Sequence, residues 1–238
     1  GDGVYLVQEL NPNIWAIGTM RLIAHSKDAS HFYNDDSIDH WNFYQSEEKE
    51  YQDRLFDCIV ATPPFGLKAS EERLCGMRKV EDFLIDIGLS SISLDHGIAI
   101  FVLPQNVTFN GGQSRVEREL YIKRDQLDTV IMLPSGALRY SSVSTVILIF
   151  SNKKKEPGFV RMVDGSSFVT KNTNRKKTIQ YDALQKAILD SDPIYVKKVT
   201  NEAIIENDYN ILPSLYFKVE EPLPDGFNSY KLSDIATI

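Results

Sequence analysis

The segment best suited to chemistry is FDCIVATPPFG, residues 56–66. Its first half is a short apolar run with β-branched residues, which predicts a fully buried strand. Pro63 and Pro64 then fix φ at two successive positions and remove two backbone donors, so neither a strand nor a helix continues through them. The residue before each proline is held near extended geometry. We therefore expect a rigid corner at the carboxyl end of a buried strand, where open α/β sheets bind ligands.

This corner suits a flat substrate that carries an amino group. The amine can donate hydrogen bonds to the Thr62 hydroxyl and the Pro63 carbonyl while the ring stacks on Phe65. The exocyclic amine of adenine is a poor nucleophile because its lone pair is delocalised into the ring. Two fixed acceptors favour the pyramidal amine, and placement beside a methyl donor lowers the entropic part of the barrier. The competing interpretation is a proline-rich turn that closes a core strand, since short motifs also match by chance.

The whole segment resembles the FDxIVxNPPFG motif of the amino-methylating DNA methyltransferases, and most closely that of the modification subunits of type I restriction–modification systems. The resemblance covers residues 4–152 well and residues 200–236 loosely. It implies that Thr62, Pro63 and Phe65 are catalytic and that Pro64 contributes to substrate binding. Thr62 departs from the family, which usually has Asn or Asp there. A threonine side chain is shorter than an amide and stiffer at χ1, although its hydroxyl still accepts a hydrogen bond.

The same resemblance implies S-adenosylmethionine as the cofactor and assigns Glu9 and Asp36 to its binding. Glu9 lies between a strand-like run and a helix that starts near Pro12, where an acid in nucleotide-binding folds accepts hydrogen bonds from ribose hydroxyls. Asp36 matches the acid of a family turn that contacts the cofactor adenine, and Asp35 is the alternative. Without the resemblance, Glu9 reads as a solvated carboxylate near a helix N-terminus, and the two aspartates as solvated turn residues.

Two further residues are assigned to the substrate side. Phe109 matches an aromatic that follows the family's GGRAAVVLP strand, here GIAIFVLP at residues 97–104. Leu138 stands where the family usually has a phenylalanine that helps to hold an extruded base. Leucine packs on the face of a base but offers no π-stacking. The alternative for Phe109 is a lid over the core.

Alternating apolar strands and helical stripes must position these residues, and this pattern predicts an α/β sheet. The strands at 127–133 and 144–150 are joined without room for a crossover helix, so we expect them to be antiparallel. A mostly parallel sheet with an antiparallel edge pair is the class I methyltransferase (Rossmann-like) architecture. That architecture normally opens with a strand and a glycine-rich turn, DPxxGSGG in the family. No such turn precedes Val4, so we expect a fragment that lacks its first strand and has an incomplete cofactor site.

Length and composition fit this picture. The 238 residues are 42% hydrophobic and 25% charged, enough for one large core or a core with an appendage. We expect a partial methyltransferase catalytic domain over residues 1–155. Residues 156–238 are expected to form a C-terminal extension that leads towards a DNA-recognition domain, because residues 207–216 resemble the family's DYNLxxxRY ending and residues 230–236 resemble KLGDIA, the usual opening of a specificity-subunit recognition domain.

Charge and cysteine content narrow the class of protein. The net charge of −7 argues against an autonomous DNA binder, so a basic face or a partner must supply the phosphate contacts. Cys58 and Cys75 lack the spacing of metal ligands, and we expect neither a disulfide framework nor a metal site. No apolar run is long enough for a membrane span, and a signal peptide is not evident, so we expect a cytoplasmic protein.

Together these features predict methylation of the exocyclic amine of adenine in DNA, as part of a restriction–modification system. The target base would be flipped out of the helix. The implied partners are DNA, a specificity subunit or a fused recognition domain, and a restriction subunit. The alternative is a catalytically degenerate scaffold or DNA-binding subunit, because Thr62 and Leu138 both depart from the family's base pocket. A third option, a protein or RNA amine methyltransferase, is disfavoured by the recognition-domain-like C-terminus.

Overall fold

The computed structural model of the protein describes residues 5–27, 31–40, 55–137, 143–171 and 177–217. Its strands, in chain order, are β1 Val7–Gln8, β2 Phe32–Tyr33, β3 Cys58–Ala61, β4 Ile98–Pro104, β5 Leu127–Met132, β6 Thr145–Ser151, β7 Phe159–Asp164, β8 Val169–Lys171, β9 Lys177–Ile179 and β10 Val196–Thr200. Its α-helices are α1 Pro12–Ala24, α2 Val80–Ser91, α3 Gln113–Lys123, α4 Tyr181–Asp190, α5 Asn201–Glu206 and α6 Pro213–Tyr216. A 3-10 helix, Gln105–Thr108, follows β4.

A six-stranded sheet in the order β10-β7-β5-β6-β4-β3 forms the centre of the fold. β4 runs parallel to β3, and β5 runs parallel to β7. β6 is antiparallel to both β4 and β5, and β10 is antiparallel to β7. The α/β class and the antiparallel pairing of β5 with β6 are therefore confirmed. That pair lies inside the sheet and not at its edge, because β7 and β10 continue the sheet beyond β5.

Helices α2 and α3 pack on the sheet through a common apolar core. Phe150 in β6 makes edge-to-face contacts with Phe101 in β4 and Tyr121 in α3, with ring centroids 5.8 and 5.0 Å apart. All three rings are buried. Gly88 lets α2 approach β4 closely, since a Cβ atom at this position would lie 2.6 Å from Cζ of Phe101. The sheet and these two helices thus form the rigid support for the loops at the carboxyl ends of β3 and β4.

Residues beyond 155 contribute to the same core. Val160 and Met162 in β7, Val199 in β10 and Ile204 in α5 are buried in the cluster that contains Phe101 and Phe150. The Asp125 carboxylate accepts hydrogen bonds from Nζ of Lys154 at 2.5 Å, from the Gly158 amide at 2.8 Å and from Nδ2 of Asn201 at 2.9 Å. The described part of the predicted extension is therefore joined closely to the sheet, and the domain boundary at residue 155 stays a prediction.

The prediction that β3 is fully buried is wrong. Cys58 and Val60 point outwards, with Val60 65% exposed, while Ile59 and Ala61 pack against the core. An apolar β-branched run has the same sequence character whether one face or both faces are covered. Here β3 ends the six-stranded sheet, and no strand within residues 5–27, 31–40, 55–137, 143–171 and 177–217 pairs with its outer edge. β1 and β2 instead form a separate parallel pair.

Helix α1 also leaves apolar side chains in solvent. Asn11 caps it by accepting hydrogen bonds from the amides of Asn13 and Ile14, and Pro12 occupies its first turn. None of its residues is fully buried among the described part of the chain, and Ile14, Ile17, Met20 and Ile23 are each more than half exposed. None of the helices that the structure describes combines the length and the apolar character that a membrane span requires.

Candidate active site

The corner formed by residues 62–65 lies open at the end of β3. Thr62 and Pro64 are exposed, Pro63 is buried and Phe65 is partly buried. The amide of Leu67 donates to the Pro64 carbonyl at 3.4 Å, and Gly66 completes this turn with a left-handed φ of +70°. Thr62 is therefore accessible to solvent at the end of a strand, three residues before a partly buried aromatic residue.

Helix α2 helps to fix the backbone of the corner. The Gly66 amide points at Oε1 of Glu81, 3.5 Å away, and Glu81 lies in the first turn of α2 with 8% of its surface exposed. A carboxylate in the first turn is favoured by the helix dipole. The carboxylate thus links the backbone just after Phe65 to the helix that packs on β4.

Phe109 lies at the same end of the sheet as the corner, where β3 and β4 finish. β3 and β4 are parallel with Ala61 opposite Phe101, so their carboxyl ends lie side by side. β4 continues into the 3-10 helix and then Phe109, which is 47% exposed. An exposed ring in this position is available to a ligand, and the assignment of Phe109 to substrate binding stays a prediction. Leu138, the other residue assigned to the base, lies outside the described residues.

Arg118, which sequence reasoning missed, holds the Phe109 loop. Its guanidinium, 2% exposed, donates to the carbonyls of Val107 at 2.9 Å, Asn110 at 2.7 Å and Tyr209 at 2.8 Å. Burial lowers the pKa of Arg118 from its ordinary value. An arginine at a helical position in the middle of α3 gives no local sequence signal of this role, because its partners come from distant loops.

Glu9 and the turn at residues 34–36 lie together beyond the end of β1. Oε1 of Glu9 accepts a hydrogen bond from the Asn11 amide at 2.7 Å. The Glu9 carbonyl accepts from the Asp35 amide at 3.2 Å and from Nδ2 of Asn34 at 2.8 Å. The structure therefore brings together the two segments that were assigned to the cofactor.

Asp36 is already engaged within the protein. Its Oδ1 accepts from the Ile38 amide at 2.9 Å, and its Oδ2 accepts from Nη2 of Arg73 at 2.9 Å. Arg73 also contacts Asp39, with Nε 2.5 Å from Oδ1 and Nη2 2.7 Å from Oδ2. This hydrogen bonding to Arg73 lowers the pKa of Asp39. No role was assigned to Arg73 from the sequence.

The arrangement offers acceptors for two kinds of donor. The hydroxyl and carbonyl at the corner can accept hydrogen bonds from an amine, with an aromatic ring next to them. The Glu9 carboxylate can accept hydrogen bonds from hydroxyl groups. Among the residues that the structure describes, histidine, cysteine, aspartate and glutamate side chains form no group of three suited to a metal ion.

Comparison with known proteins gives consistent similarities. The family model described as N-6 DNA Methylase matches residues 2–223. The chain is 21% identical over 242 residues to the type I restriction enzyme MpnII methylase subunit of Mycoplasma pneumoniae, a match that covers 91% of this chain and 44% of that protein. It is 26% identical over 147 residues to the EcoEI methylase subunit of Escherichia coli, covering 57% and 29%. The chain therefore spans less than half the length of these relatives.

A solved structure shows the same fold. The type I restriction-modification system methyltransferase subunit from Streptococcus thermophilus superposes with a TM-score of 0.72 at 24% sequence identity, covering 89% of this chain and 48% of that one. At this level of identity the likeness concerns the fold alone. It confirms the class I methyltransferase architecture that the order of strands and helices predicted.

Proposed function

The chain belongs to the N-6 DNA methylase family, as its sequence motifs predicted, and from that premise we propose that the protein methylates the exocyclic amine of adenine in DNA with S-adenosylmethionine. The observation that carries this proposal is the open corner at residues 62–65, which presents a hydroxyl and an aromatic ring at the carboxyl edge of the sheet. The catalytic residues proposed are Thr62, Pro63 and Phe65.

The residues around Glu9 fit a nucleoside. Glu9 is partly buried at the end of β1, and only one of its oxygens, Oε1, accepts a hydrogen bond from a described residue. The second oxygen is available to the ribose hydroxyls. Asp36 uses one bond at each oxygen, and a carboxylate has about four acceptor positions, so the adenine amine can still be accepted there. We assign Glu9 and Asp36 to cofactor binding.

S-adenosylmethionine, when bound, supplies a methyl group on a positively charged sulfur. The chain's own contribution is placement. The Thr62 hydroxyl and the Pro63 carbonyl accept hydrogen bonds from the two N–H groups of a flipped adenine, which favours the pyramidal nitrogen. Phe65 stacks on the ring of the base. We assign Pro64, Phe109 and Leu138 to substrate binding. The base must leave the DNA stack, because its amine is otherwise out of reach.

The partners proposed follow from the class of relatives. Both relatives named above are methylase subunits of type I restriction enzymes. We expect the protein to act on DNA in the cytoplasm together with a specificity subunit or a fused recognition domain, and with a restriction subunit. With a net charge of −7, much of the phosphate contact must come from a local basic face or from the partner.

Replacement of Thr62 by valine tests the role of the corner, since valine keeps the branched shape and removes the hydroxyl. Methyl transfer to adenine-containing duplex, measured with the natural gene product that carries this sequence, should fall about 10-fold to 100-fold, the equivalent of a lost hydrogen bond of about 1.5–3 kcal/mol. Thr62→Asn, which restores the family's usual acceptor, should transfer methyl groups at least as fast as the wild type. Thr62 is exposed, so neither change should alter the unfolding transition.

The second candidate is a catalytically degenerate scaffold, and the residue that favours it is Thr62 itself, where the family usually has an amide or a carboxylate. The same variants separate the two. If the wild type and Thr62→Asn both fold and bind DNA but neither transfers a methyl group, the scaffold is the correct interpretation.

A further inference from the structure

Residues 66–79 form the loop between the corner and α2, and we call this segment the 66–79 loop. It leaves the corner directly after Phe65 and ends at Lys79, the residue that precedes α2. Its residues contact the turn at 35–39 on one side and the start of α3 on the other. It is therefore the segment through which the two halves of the proposed site meet.

An ion-pair network joins the loop to the turn. Arg73 uses its planar fork on two carboxylates, with Nη2 2.9 Å from Oδ2 of Asp36 and Nε 2.5 Å from Oδ1 of Asp39. Fork-shaped pairing of this kind fixes direction as well as distance. Three aspartates lie within residues 35–39, so the cation also offsets the repulsion that would otherwise open the turn.

An apolar cluster makes a second, independent contact between the same two segments. Leu74, next to Arg73, is fully buried with Val80 and Phe83 of α2. Ile38, from the turn that holds Asp36 and Asp39, packs against this cluster. The neighbouring side chains Leu74 and Arg73 thus anchor the loop to the turn by apolar and ionic contacts respectively.

The backbone of the loop is folded tightly enough to fix Arg73. The Leu74 amide donates to the Ser70 carbonyl at 3.2 Å, and the Gly76 amide donates to the Glu71 carbonyl at 2.7 Å. Cys75 and Gly76 have left-handed φ values of +52° and +90°, which reverse the chain after Leu74. The segment around Arg73 is therefore a compact, anchored turn.

The far end of the loop is fastened to the element that follows Phe109. The Arg78 amide donates to Oε1 of Gln113 at 3.0 Å, and Nζ of Lys79 contacts Oγ of Ser114 at 2.9 Å. Both partners belong to the first turn of α3. A displacement of the loop would therefore move the corner, the turn at residues 35–39 and the segment that carries Phe109 together.

We propose that Arg73 is a positioning residue, which holds the turn of Asp36 and the corner of Thr62 at a fixed separation through the 66–79 loop. This inference rests on the proposed function, because the separation matters only if a cofactor at Asp36 must meet an amine at Thr62. In this role Arg73 acts through its aspartate partners and not directly on the substrate or the cofactor. It orients Asp36 through one hydrogen bond and closes the turn through Asp39.

The test replaces Arg73 by glutamine in the natural gene product, with Arg78→Gln as the matched control. Arg78 lies in the same loop, and its ion pair to Glu71, at 3.4 Å, joins two exposed side chains. Arg73→Gln should raise the KM for S-adenosylmethionine roughly threefold to tenfold, the range expected for an ion-pair network at the surface. It should also speed amide hydrogen exchange at residues 35–39 and 70–77, whereas Arg78→Gln should change neither.

A charge swap tests whether the ion pair between positions 73 and 39 is responsible. In Arg73→Asp/Asp39→Arg the cation and the anion exchange places. Recovery of the KM and of the exchange protection supports the proposal. If the single variant matches Arg78→Gln, or if it binds S-adenosylmethionine more tightly than the wild type, the proposal is overturned.

The failure of this proposal can be told from the failure of the proposed function. A wild-type protein that binds S-adenosylmethionine but transfers no methyl group to DNA contradicts the function. Equilibrium binding of S-adenosylmethionine and hydrogen exchange then still decide whether Arg73 positions the turn.

Discussion

At the scale of single residues, Arg118 helps to hold the Phe109 loop in place. A buried guanidinium is tolerated only when its donors are satisfied, and here the acceptors are backbone carbonyls from three separate segments. Burial lowers the pKa of Arg118 by more than the nearby charge of Asp82 raises it. Arg118 thus connects the loop after β4 to the residues around Tyr209.

Replacement of Arg118 by methionine should lower the free energy of unfolding by about 3–5 kcal/mol, because several buried carbonyls lose their donors at once. Urea denaturation followed by circular dichroism measures this change. Arg124→Met, at the exposed end of the same helix, is the control and should stay within about 0.5 kcal/mol of the wild type. Equal effects of the two changes would contradict the assigned role of Arg118.

At the scale of elements, the contact between α2 and β4 helps to fix the position of the corner relative to the sheet. Gly88 faces Phe101, whose ring is fully buried, and Glu81 on the same helix reaches the Gly66 amide. The helix therefore contacts the backbone of the corner through Glu81 and packs on β4 at Gly88. Its distance from the sheet depends on the missing side chain at Gly88.

Gly88→Ala should destabilise the protein by about 1–3 kcal/mol, although alanine is the better helix former by about 1 kcal/mol. The added Cβ would lie 2.6 Å from the Phe101 ring, which is fully buried and can yield little. A double-mutant cycle with Phe101→Leu checks this cause by thermal denaturation. The combined variant should be more stable than the sum of the two single effects predicts, and strict additivity would exclude the clash.

The elements themselves were predictable because their signals are local. The apolar runs at 97–104 and 127–133 predicted β4 and β5. The diproline corner was also predictable, since two prolines restrict their own backbone. The one-sided burial of β3 was not, because burial depends on which elements lie beside a strand and the sequence of the strand does not record them.

The long-range contacts around the site could not be predicted from the sequence for the same reason. Arg73 meets Asp36 and Asp39 across more than thirty positions of sequence, and Arg118 meets Tyr209 across ninety-one. Charged residues in loops and on helices are usually solvated, so their composition carries no sign of such partners. The resemblance to the family proposed Asp36 as a cofactor acid, but it gave no sign that Asp36 binds the Ile38 amide and Arg73.

At the scale of the whole molecule, Asp125 connects parts of the chain on both sides of the predicted domain boundary. It has a left-handed φ of +53° and binds Lys154, Gly158 and Asn201, which lie after β6, before β7 and at the start of α5. Burial alone would raise the pKa of Asp125, but hydrogen bonds from Lys154, Asn201 and Gly158 outweigh it and lower the pKa below 3.8.

Asp125→Asn should lower the free energy of unfolding by about 1–3 kcal/mol at neutral pH, within a single transition. The depressed pKa means that the folded carboxylate stabilises the protein above about pH 3.8, and that this contribution is lost as the pH falls through the folded pKa. The difference between wild type and variant should therefore shrink on acidification. Urea titrations at pH 7 and near pH 3 measure it, and two separate transitions would instead support a boundary near residue 155.

The positions of the two cysteines give the molecule a built-in reporter. Cys58 lies on β3, which enters the corner, and Cys75 lies on the 66–79 loop, which leaves it; both thiols are free and exposed. They are the only cysteines in this sequence. Nitroxide or fluorescent labels can therefore be attached to it without engineering. The spectroscopic distance between them then reports whether the loop keeps its position relative to the strand while nucleoside or duplex is titrated in.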